Sequence, residues 1–180
     1  MKVLILEGSP RIKGNSSILC DEFERGAIES GFEVEKIHIT RKKIGGCLGC
    51  DACQKNGGTC IQKDDMTEIK EKMINADAIV LASPIYFYSM SSQLKALIDR
   101  TYAFYTKLES KTFFFIITCA APDESYTKTM LDALHGFTCC VPNSIEGGTV
   151  IGTNSSNAGD VKQSKAMLEA YNMGKNIINK

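Results

Sequence analysis

Short apolar runs alternate with segments of helical spacing along the chain, and this alternation restricts the fold more than any other feature. The runs cover residues 3–6, 32–39, 78–82, 112–118 and 149–152. Alternating strand and helix segments of this kind are typical of a parallel sheet covered by helices on both faces. We therefore predict an α/β fold, a doubly wound five-stranded parallel sheet in the order 2-1-3-4-5, with a binding crevice at the carboxyl ends of strands 1 and 3.

The predicted elements differ in how they face the core. The run FFFII within residues 112–118 indicates a strand buried on both faces, whereas the run 32–39 loses its apolar alternation and indicates an edge strand or a bulge. One helix is predicted through QLKALIDRTYAFY, residues 93–105. The first helix, at about residues 16–30, is predicted to bury Leu19, Phe23 and Ala27. For the last helix the inward residues are predicted to be Met167, Leu168, Tyr171, Gly174 and Ile178.

Composition and charge limit the classes of partner. The 180 residues, of which 43% are apolar and 23% charged, fit a single domain spanning residues 1–180. Because 21 basic residues balance 21 acidic ones, we expect no binding to nucleic acid or to an anionic membrane surface. The N-terminus lacks the pattern of a secretory signal, and no apolar stretch is long enough to cross a membrane. We expect a cytoplasmic protein whose partners are small molecules or another protein.

Four of the eight cysteines fall within fourteen residues, in the run CLGCDACQKNGGTC. They lie in a stretch without periodicity, an insertion loop at about residues 41–65. Two consecutive CxxC steps and a fourth sulfur suit an iron–sulfur cluster; structural zinc and free or redox-switching thiols are the alternatives. The loop cysteines are Cys47, Cys50, Cys53 and Cys60, while Cys20, Cys119, Cys139 and Cys140 are expected to be small buried hydrophobic residues.

Two loops at the carboxyl ends of strands 1 and 3 have the composition of a cofactor site. The first, GSPRIKGNSS at residues 8–17, combines glycines, hydroxyls, an arginine and the start of a helix, which suits a terminal phosphate monoester. It matches neither the dinucleotide nor the triphosphate fingerprint. The second, SPIYFYS at residues 83–89, places three aromatic side chains where a planar heteroaromatic ring would lie.

No conventional acid–base constellation accompanies these loops in the sequence. His38 and His135 have no serine or cysteine partner in a triad context, and we expect ordinary hydrogen-bonded histidines. The helix charges Glu71, Lys95, Asp99 and Arg100 are expected to be solvated. Glu7, which enters the phosphate loop, would repel a dianion unless Arg11 or Lys13 neutralises it or its carboxylate points away.

The motifs GSPR with GNSS, the cysteine loop, KDDM and SPIYFYSMSSQLKALIDR together resemble the NADPH-dependent FMN reductases, which have a flavodoxin-like fold, over residues 1–105. With four clustered cysteines the chain is most similar to the iron-sulfur flavoproteins. The resemblance implies that Ser9, Arg11, Asn15, Ser16 and Ser17 hold the FMN phosphate and that Pro84, Ile85, Tyr86 and Phe87 border the ring, with Thr118 also binding the cofactor. It further implies that Cys47, Cys50, Cys53 and Cys60 ligate a 4Fe–4S cluster.

These residues lead to one main hypothesis and two alternatives. The main hypothesis is an FMN-dependent oxidoreductase that relays electrons between FMN and a 4Fe–4S cluster, with a small molecule such as NAD(P)H or a small redox protein as electron partner. The resemblance also implies a homodimer or homotetramer. The alternatives are an NAD(P)H-dependent FMN or quinone reductase without a cluster, and a non-catalytic module stiffened by zinc.

Overall fold

A computed structural model describes residues 1–177, so the predicted core position Ile178 lies outside the described residues. The chain forms one five-stranded sheet in which every neighbouring pair of strands is parallel, in the order β2-β1-β3-β4-β5. This confirms the predicted fold class and strand order. The strands are β1 (Lys2–Glu7), β2 (Glu33–His38), β3 (Ala78–Pro84), β4 (Thr112–Thr118) and β5 (Ile145–Gly152).

Helices cover both faces of the sheet. They are α1 (Asn15–Glu29), α3 (Met66–Asn75), α4 (Ser92–Arg100), α5 (Lys128–Cys139) and α6 (Ala166–Lys175), while the short α2 (Ala52–Lys55) lies in the cysteine loop and buries no residue. Because side chains alternate along a strand, Val3 and Ile5 of β1 pack into the core layer under α1 and α6, while Leu4 and Leu6 pack into the layer under α3, α4 and α5. β2 lies at the edge of the sheet, as its irregular pattern predicted.

Two element boundaries differ from the predictions. β5 begins at Ile145 rather than at residue 149, because its first residues pair with the start of β4 across a register shift at Phe113/Phe114. The helix predicted over residues 93–105 ends at Arg100 and continues as two 3₁₀ turns, Thr101–Ala103 and Tyr105–Lys107. Within the described residues, no helix is long and apolar enough to span a bilayer.

Helices α1 and α6 approach each other closely, and this approach decides which residues of α6 face the core. The predicted inward residues of α1 are all buried. In α6 the prediction is confirmed for Gly174, but the other buried positions are the small residues Ala166 and Ala170. Leu168, predicted to face inward, is 64% exposed. The reason is steric: a Cβ on Gly174 would lie 2.0 Å from the Phe23 carbonyl oxygen of α1. Large side chains therefore have no room at this contact.

The cysteines outside the loop divide into two pairs. Cys20 and Cys119 are buried, as predicted. The prediction was wrong for Cys139 and Cys140, which are exposed, because α5 turns Met130, Leu134 and Thr138 inward and the two cysteines lie outside that buried stripe.

We expect Gly174→Ala to destabilise the protein by about 3 kcal/mol, because the new methyl group would overlap backbone atoms of α1. Gly136→Ala, in the exposed face of α5 with open space around its Cβ position, should instead stabilise by up to about 1 kcal/mol through helix propensity. Urea unfolding followed by circular dichroism measures both changes. Equal effects of the two substitutions would contradict a close α1–α6 contact.

Candidate functional site

The carboxyl ends of β1 and β3 are joined by direct contacts of Gly8. Its N–H donates to the Ala82 carbonyl at 2.8 Å, and its own carbonyl accepts from the Ser91 hydroxyl at 2.7 Å. A Cβ at Gly8 would lie 2.9 Å from both Leu94 Cβ and Ser91 Oγ, so only glycine fits without a shift. The loop after β1 therefore lies flat against β3 and the start of α4, beside the 83–89 loop.

The first turn of α1 presents free backbone donors to the loop of residues 8–14. Within residues 1–177, no side chain caps this helix, whose N-cap is Gly14. The N–H groups of the first helical turn have no intrahelical partner and carry the positive end of the helix dipole, which makes this position suitable for an anion. Ser9 is buried next to it, and Arg11 is exposed, with Nη1 3.2 Å from the Ser156 carbonyl.

A buried pair of hydroxyls connects the first turn of α1 with the end of β4. Ser16 Oγ of α1 lies 2.7 Å from Thr118 Oγ1 at the end of β4. The Thr118 carbonyl also accepts from the Ile85 N–H at 2.8 Å. Thr118 thus connects Ser16, predicted to contact the phosphate, with Ile85, predicted to border the ring.

Asn15 connects the loop after β1 to a segment that the sequence did not single out, residues 153–160. Its Nδ2 donates to the carbonyls of Ser155 at 3.1 Å and Asn157 at 2.8 Å, and its Oδ1 accepts from the N–H groups of Gly159 at 2.9 Å and Val161 at 3.3 Å. In this arrangement the carboxamide holds that segment against α1. A role of Asn15 toward a phosphate stays a prediction, and the segment's polar composition carried no signal of its place.

Glu7 is fully buried beneath the same loop and contacts neither Arg11 nor Lys13. Instead its Oε1 is in close contact with Ser17 Oγ, and its Oε2 lies 3.0 Å from His38 Nδ1. Burial raises the pKa of the Glu7 carboxyl above its ordinary value, against the opposing effects of Ser17 and His38. Ser17 Oγ is also 2.5 Å from the Ile12 carbonyl. Since a hydroxyl has one proton, both contacts of Ser17 are hydrogen bonds only when Glu7 is protonated.

The 83–89 loop ends in a tight turn that displays aromatic side chains. Tyr86 and Ser89 exchange backbone hydrogen bonds of 2.9 and 3.1 Å, and both residues between them have positive φ, 48° for Phe87 and 64° for Tyr88. Large side chains seldom adopt this conformation, which stores strain. As a result Phe87 is fully solvent-exposed, while the Tyr88 ring stacks on Tyr126 at 6.0 Å.

The cysteine loop leaves the same edge of the sheet after β2. All four of its sulfurs are free; Cys47 and Cys50 are exposed, and Cys53 and Cys60 are half-buried. Among residues 1–177, no three His, Cys, Asp or Glu side chains converge closely enough to hold a single metal ion. Backbone and amide donors already contact two of the sulfurs: Gly49 N–H points at Cys47 Sγ at 3.5 Å, and Gln54 Nε2 at Cys53 Sγ at 3.8 Å.

Arg100, predicted to be solvated, is instead buried at the base of this loop. Its Nη1 and Nη2 donate to the two Asp64 carboxylate oxygens at 2.6 and 3.0 Å. Burial opposes the charge of Arg100, but Asp64 and then the neighbouring Cys60 outweigh it and raise the pKa of the guanidinium. The sequence does carry a signal of this burial: Arg100 follows Leu97 by three residues, which places it on the buried face of α4.

Comparison with known proteins assigns the chain to a family. The family model of NADPH-dependent FMN reductase matches residues 1–147, so the chain belongs to that family. An iron-sulfur flavoprotein of Archaeoglobus fulgidus is 46% identical over 100 residues, 56% of this chain and 45% of that protein. An iron-sulfur flavoprotein of Methanocaldococcus jannaschii is 45% identical over 101 residues, 56% of this chain and 52% of that protein. The chain thus spans about half the length of the curated relatives it matches.

A solved structure with the same fold supports the architecture. The NAD(P)H:quinone oxidoreductase from Methanothermobacter marburgensis superposes with a TM-score of 0.81 at 17% identity, covering 100% of this chain and 97% of that one. At this identity the likeness concerns the fold, and it agrees with the predicted flavodoxin-like sheet.

We expect Glu7→Gln to raise the free energy of unfolding relative to wild type, and to do so more at neutral pH than at pH 4. The folded-state pKa of Glu7 lies above its unfolded value, so wild-type stability falls as pH rises from about 4.5 through that raised pKa; each pKa unit of difference is worth about 1.4 kcal/mol. Glutamine has no proton to lose and keeps the shape of the side chain. Urea unfolding at several pH values measures the difference between variant and wild type.

Glu33→Gln, on the exposed edge strand β2, is the control and should show little of this pH dependence. A stability difference between Glu7→Gln and wild type that stays constant from pH 4 to 8 would argue against a protonated Glu7.

Proposed function

We propose that this chain is an FMN-dependent oxidoreductase in which the four-cysteine loop holds a 4Fe–4S cluster that exchanges electrons with the flavin. The observation that carries the proposal is the meeting, at one sheet edge, of an uncapped helix N-terminus and an aromatic turn, with a loop of four free thiols leaving the same edge. Membership of the FMN reductase family and the iron-sulfur flavoprotein relatives support it.

The phosphate of FMN would lie at the first turn of α1. Backbone N–H groups of residues 15–17 and the Ser9 hydroxyl would donate to it, and Arg11 would add a charged donor after releasing the Ser156 carbonyl. A protonated Glu7 removes the repulsion that a carboxylate beneath a dianion would cause. Ser16 and Ser17, whose hydroxyls contact Thr118 and Glu7, would contribute through their backbone groups.

The planar ring would lie along Pro84, Ile85, Tyr86 and Phe87. The strained turn holds Phe87 outside the core, where its flat face is free to contact a ligand or a second subunit. Few catalytic side chains are required, since flavin supplies hydride and single-electron chemistry when bound. We propose NAD(P)H or a small redox protein as electron partner, a homodimer or homotetramer as assembly, and residues 1–180 as one domain.

The donor set of the loop suits an iron–sulfur cluster better than zinc. Structural zinc is held by four ligands, whereas three of the loop cysteines follow one another at strict three-residue intervals, which is more than a zinc site normally needs. A cluster with several irons accepts each thiolate at a different corner, which suits four cysteines in one short loop. Exposed Cys47 and Cys50 leave one side of the loop open to a redox partner. An FMN reductase that works without a cluster is the second candidate, which the family match equally favours.

We expect Arg11→Ala to weaken FMN binding by about tenfold or more, since a charged hydrogen bond contributes about 1.5–3 kcal/mol. Riboflavin, which lacks the phosphate, should bind wild type and variant equally. Flavin fluorescence quenching measures both dissociation constants. Lys13→Ala, a neighbouring exposed charge, is the control. An equal loss for FMN and riboflavin would place Arg11 away from the phosphate.

We expect anaerobic reconstitution to yield about four irons and four sulfides per chain in wild type. Cys50→Ser should lose most of both, because each corner of the cluster needs its thiolate, whereas Cys139→Ser, exposed on α5, should match wild type. Iron, zinc and sulfide analysis with the visible spectrum checks the outcome. Flavin without iron would favour the reductase that lacks a cluster, and zinc without flavin would favour a non-catalytic module.

A further inference from the structure

Arg100 is a buried cation whose contacts reach both ends of the cysteine loop. Its side chain is 2% exposed. Nη1 donates to the Gly45 carbonyl at 2.9 Å, two residues before Cys47, and both terminal nitrogens bind Asp64, four residues after Cys60. These partners offset the cost of burying a charge. Because Gly45 precedes the four cysteines and Asp64 follows them, the guanidinium holds the two ends of the loop together.

Asp64 completes the closure from the other side. Its Oδ2 accepts from the Gly45 N–H at 3.0 Å, and its Oδ1 accepts from the Met66 N–H at 3.2 Å, at the start of α3. Burial alone would raise the pKa of Asp64, but the Arg100 hydrogen bonds and these backbone donors lower it. The carboxylate is therefore held between the loop, α3 and α4.

The Nε–H donor of Arg100 is not used by these contacts. Within residues 1–177, its Nε is buried and has no hydrogen-bond partner. An unsatisfied buried donor on a charged group is costly and points to an acceptor that completes it. The sulfur beside the guanidinium is that of Cys60, which lines a small cavity of about 50 Å³ together with Arg100, Met66 and Phe104.

We propose that Arg100 is a positioning residue for the cysteine loop: its terminal nitrogens hold the two ends of the loop together, and its Nε–H is the donor for the Cys60 thiolate. This inference rests on the proposed function in assigning Cys60 as a ligand, while the closure of the loop does not depend on it. Lysine cannot replace this fork, because a single ammonium would have to satisfy Gly45, Asp64 and Cys60 from one point.

The proposal has an electrostatic consequence. Hydrogen bonds to a ligand sulfur and a nearby positive charge stabilise the more negative, reduced state of a cluster and so raise its reduction potential. A residue that merely supports the fold would change stability without changing the potential. The reduction potential therefore separates the two roles of Arg100.

The experiment compares Arg100→Lys and Asp64→Asn with Lys95→Gln, an exposed charge on the same helix that pairs with Asp99. Asp64→Asn keeps the guanidinium and remains informative should Arg100→Lys fail to fold. On metal-free protein, amide hydrogen exchange is measured for residues 45–64. On anaerobically reconstituted protein, iron retention against a chelator and the reduction potential are measured, the latter by spectroelectrochemical titration.

We expect faster exchange in the loop for both test variants but not for Lys95→Gln. For the cluster, we expect retention about tenfold weaker in both test variants and a more negative potential in Arg100→Lys. Unchanged loop exchange would overturn the proposal whether or not iron binds. Faster exchange with an unchanged potential would overturn the contact with Cys60. Wild type that takes up no iron under any anaerobic condition would instead refute the cluster, and the exchange data would still decide the closure of the loop by Arg100.

Discussion

The candidate site depends on the close contact of Gly8 with β3 and α4. This contact requires a residue without a side chain, because any Cβ would overlap Leu94 and Ser91. It brings the loop after β1 to within one hydrogen bond of the end of β3, and the start of α1 follows from that position. A larger residue at Gly8 would require the loop after β1 to move away from Leu94 and Ser91.

The buried charged side chains lie near the carboxyl ends of the strands. Glu7 and Arg100 are the two charged side chains buried most completely in the described part of the chain. Glu7 lies beneath the loop after β1, and Arg100 lies beneath the cysteine loop. The chain handles them in opposite ways: burial drives Glu7 toward its neutral form, while Asp64 keeps Arg100 paired in its charged form. Apolar side chains of similar size would often be at least as stable at these positions, so stability of the core alone does not explain the two buried charges.

The sequence predicted the sheet well because each strand carries its own signal, a short run of apolar and branched residues. It failed where packing depends on a partner that is distant in the chain. Ala166, Ala170 and Gly174 repeat every four residues, which is a signal of close helix packing, but the more hydrophobic Leu168 masked it. Arg100 was predicted to be solvated because a single sequence shows no sign of a carboxylate 36 residues earlier. The 153–160 segment contacts the site through Arg11 and Asn15, which lie 140 to 145 residues earlier in the chain.

Helix α4 connects the two candidate cofactor sites. At its start, the hydroxyl of the N-cap Ser91 accepts from the Leu94 N–H and donates to the carbonyl of Gly8, the first residue of the loop after β1. At its end, Arg100 holds the cysteine loop, and the following turn adds the contact of Gln54 Nε2 with the Tyr102 carbonyl at 3.2 Å. The two contacts are nine residues apart, about 13 Å along the helix. Because α4 makes both contacts, its length sets the distance between the loop after β1 and the base of the cysteine loop.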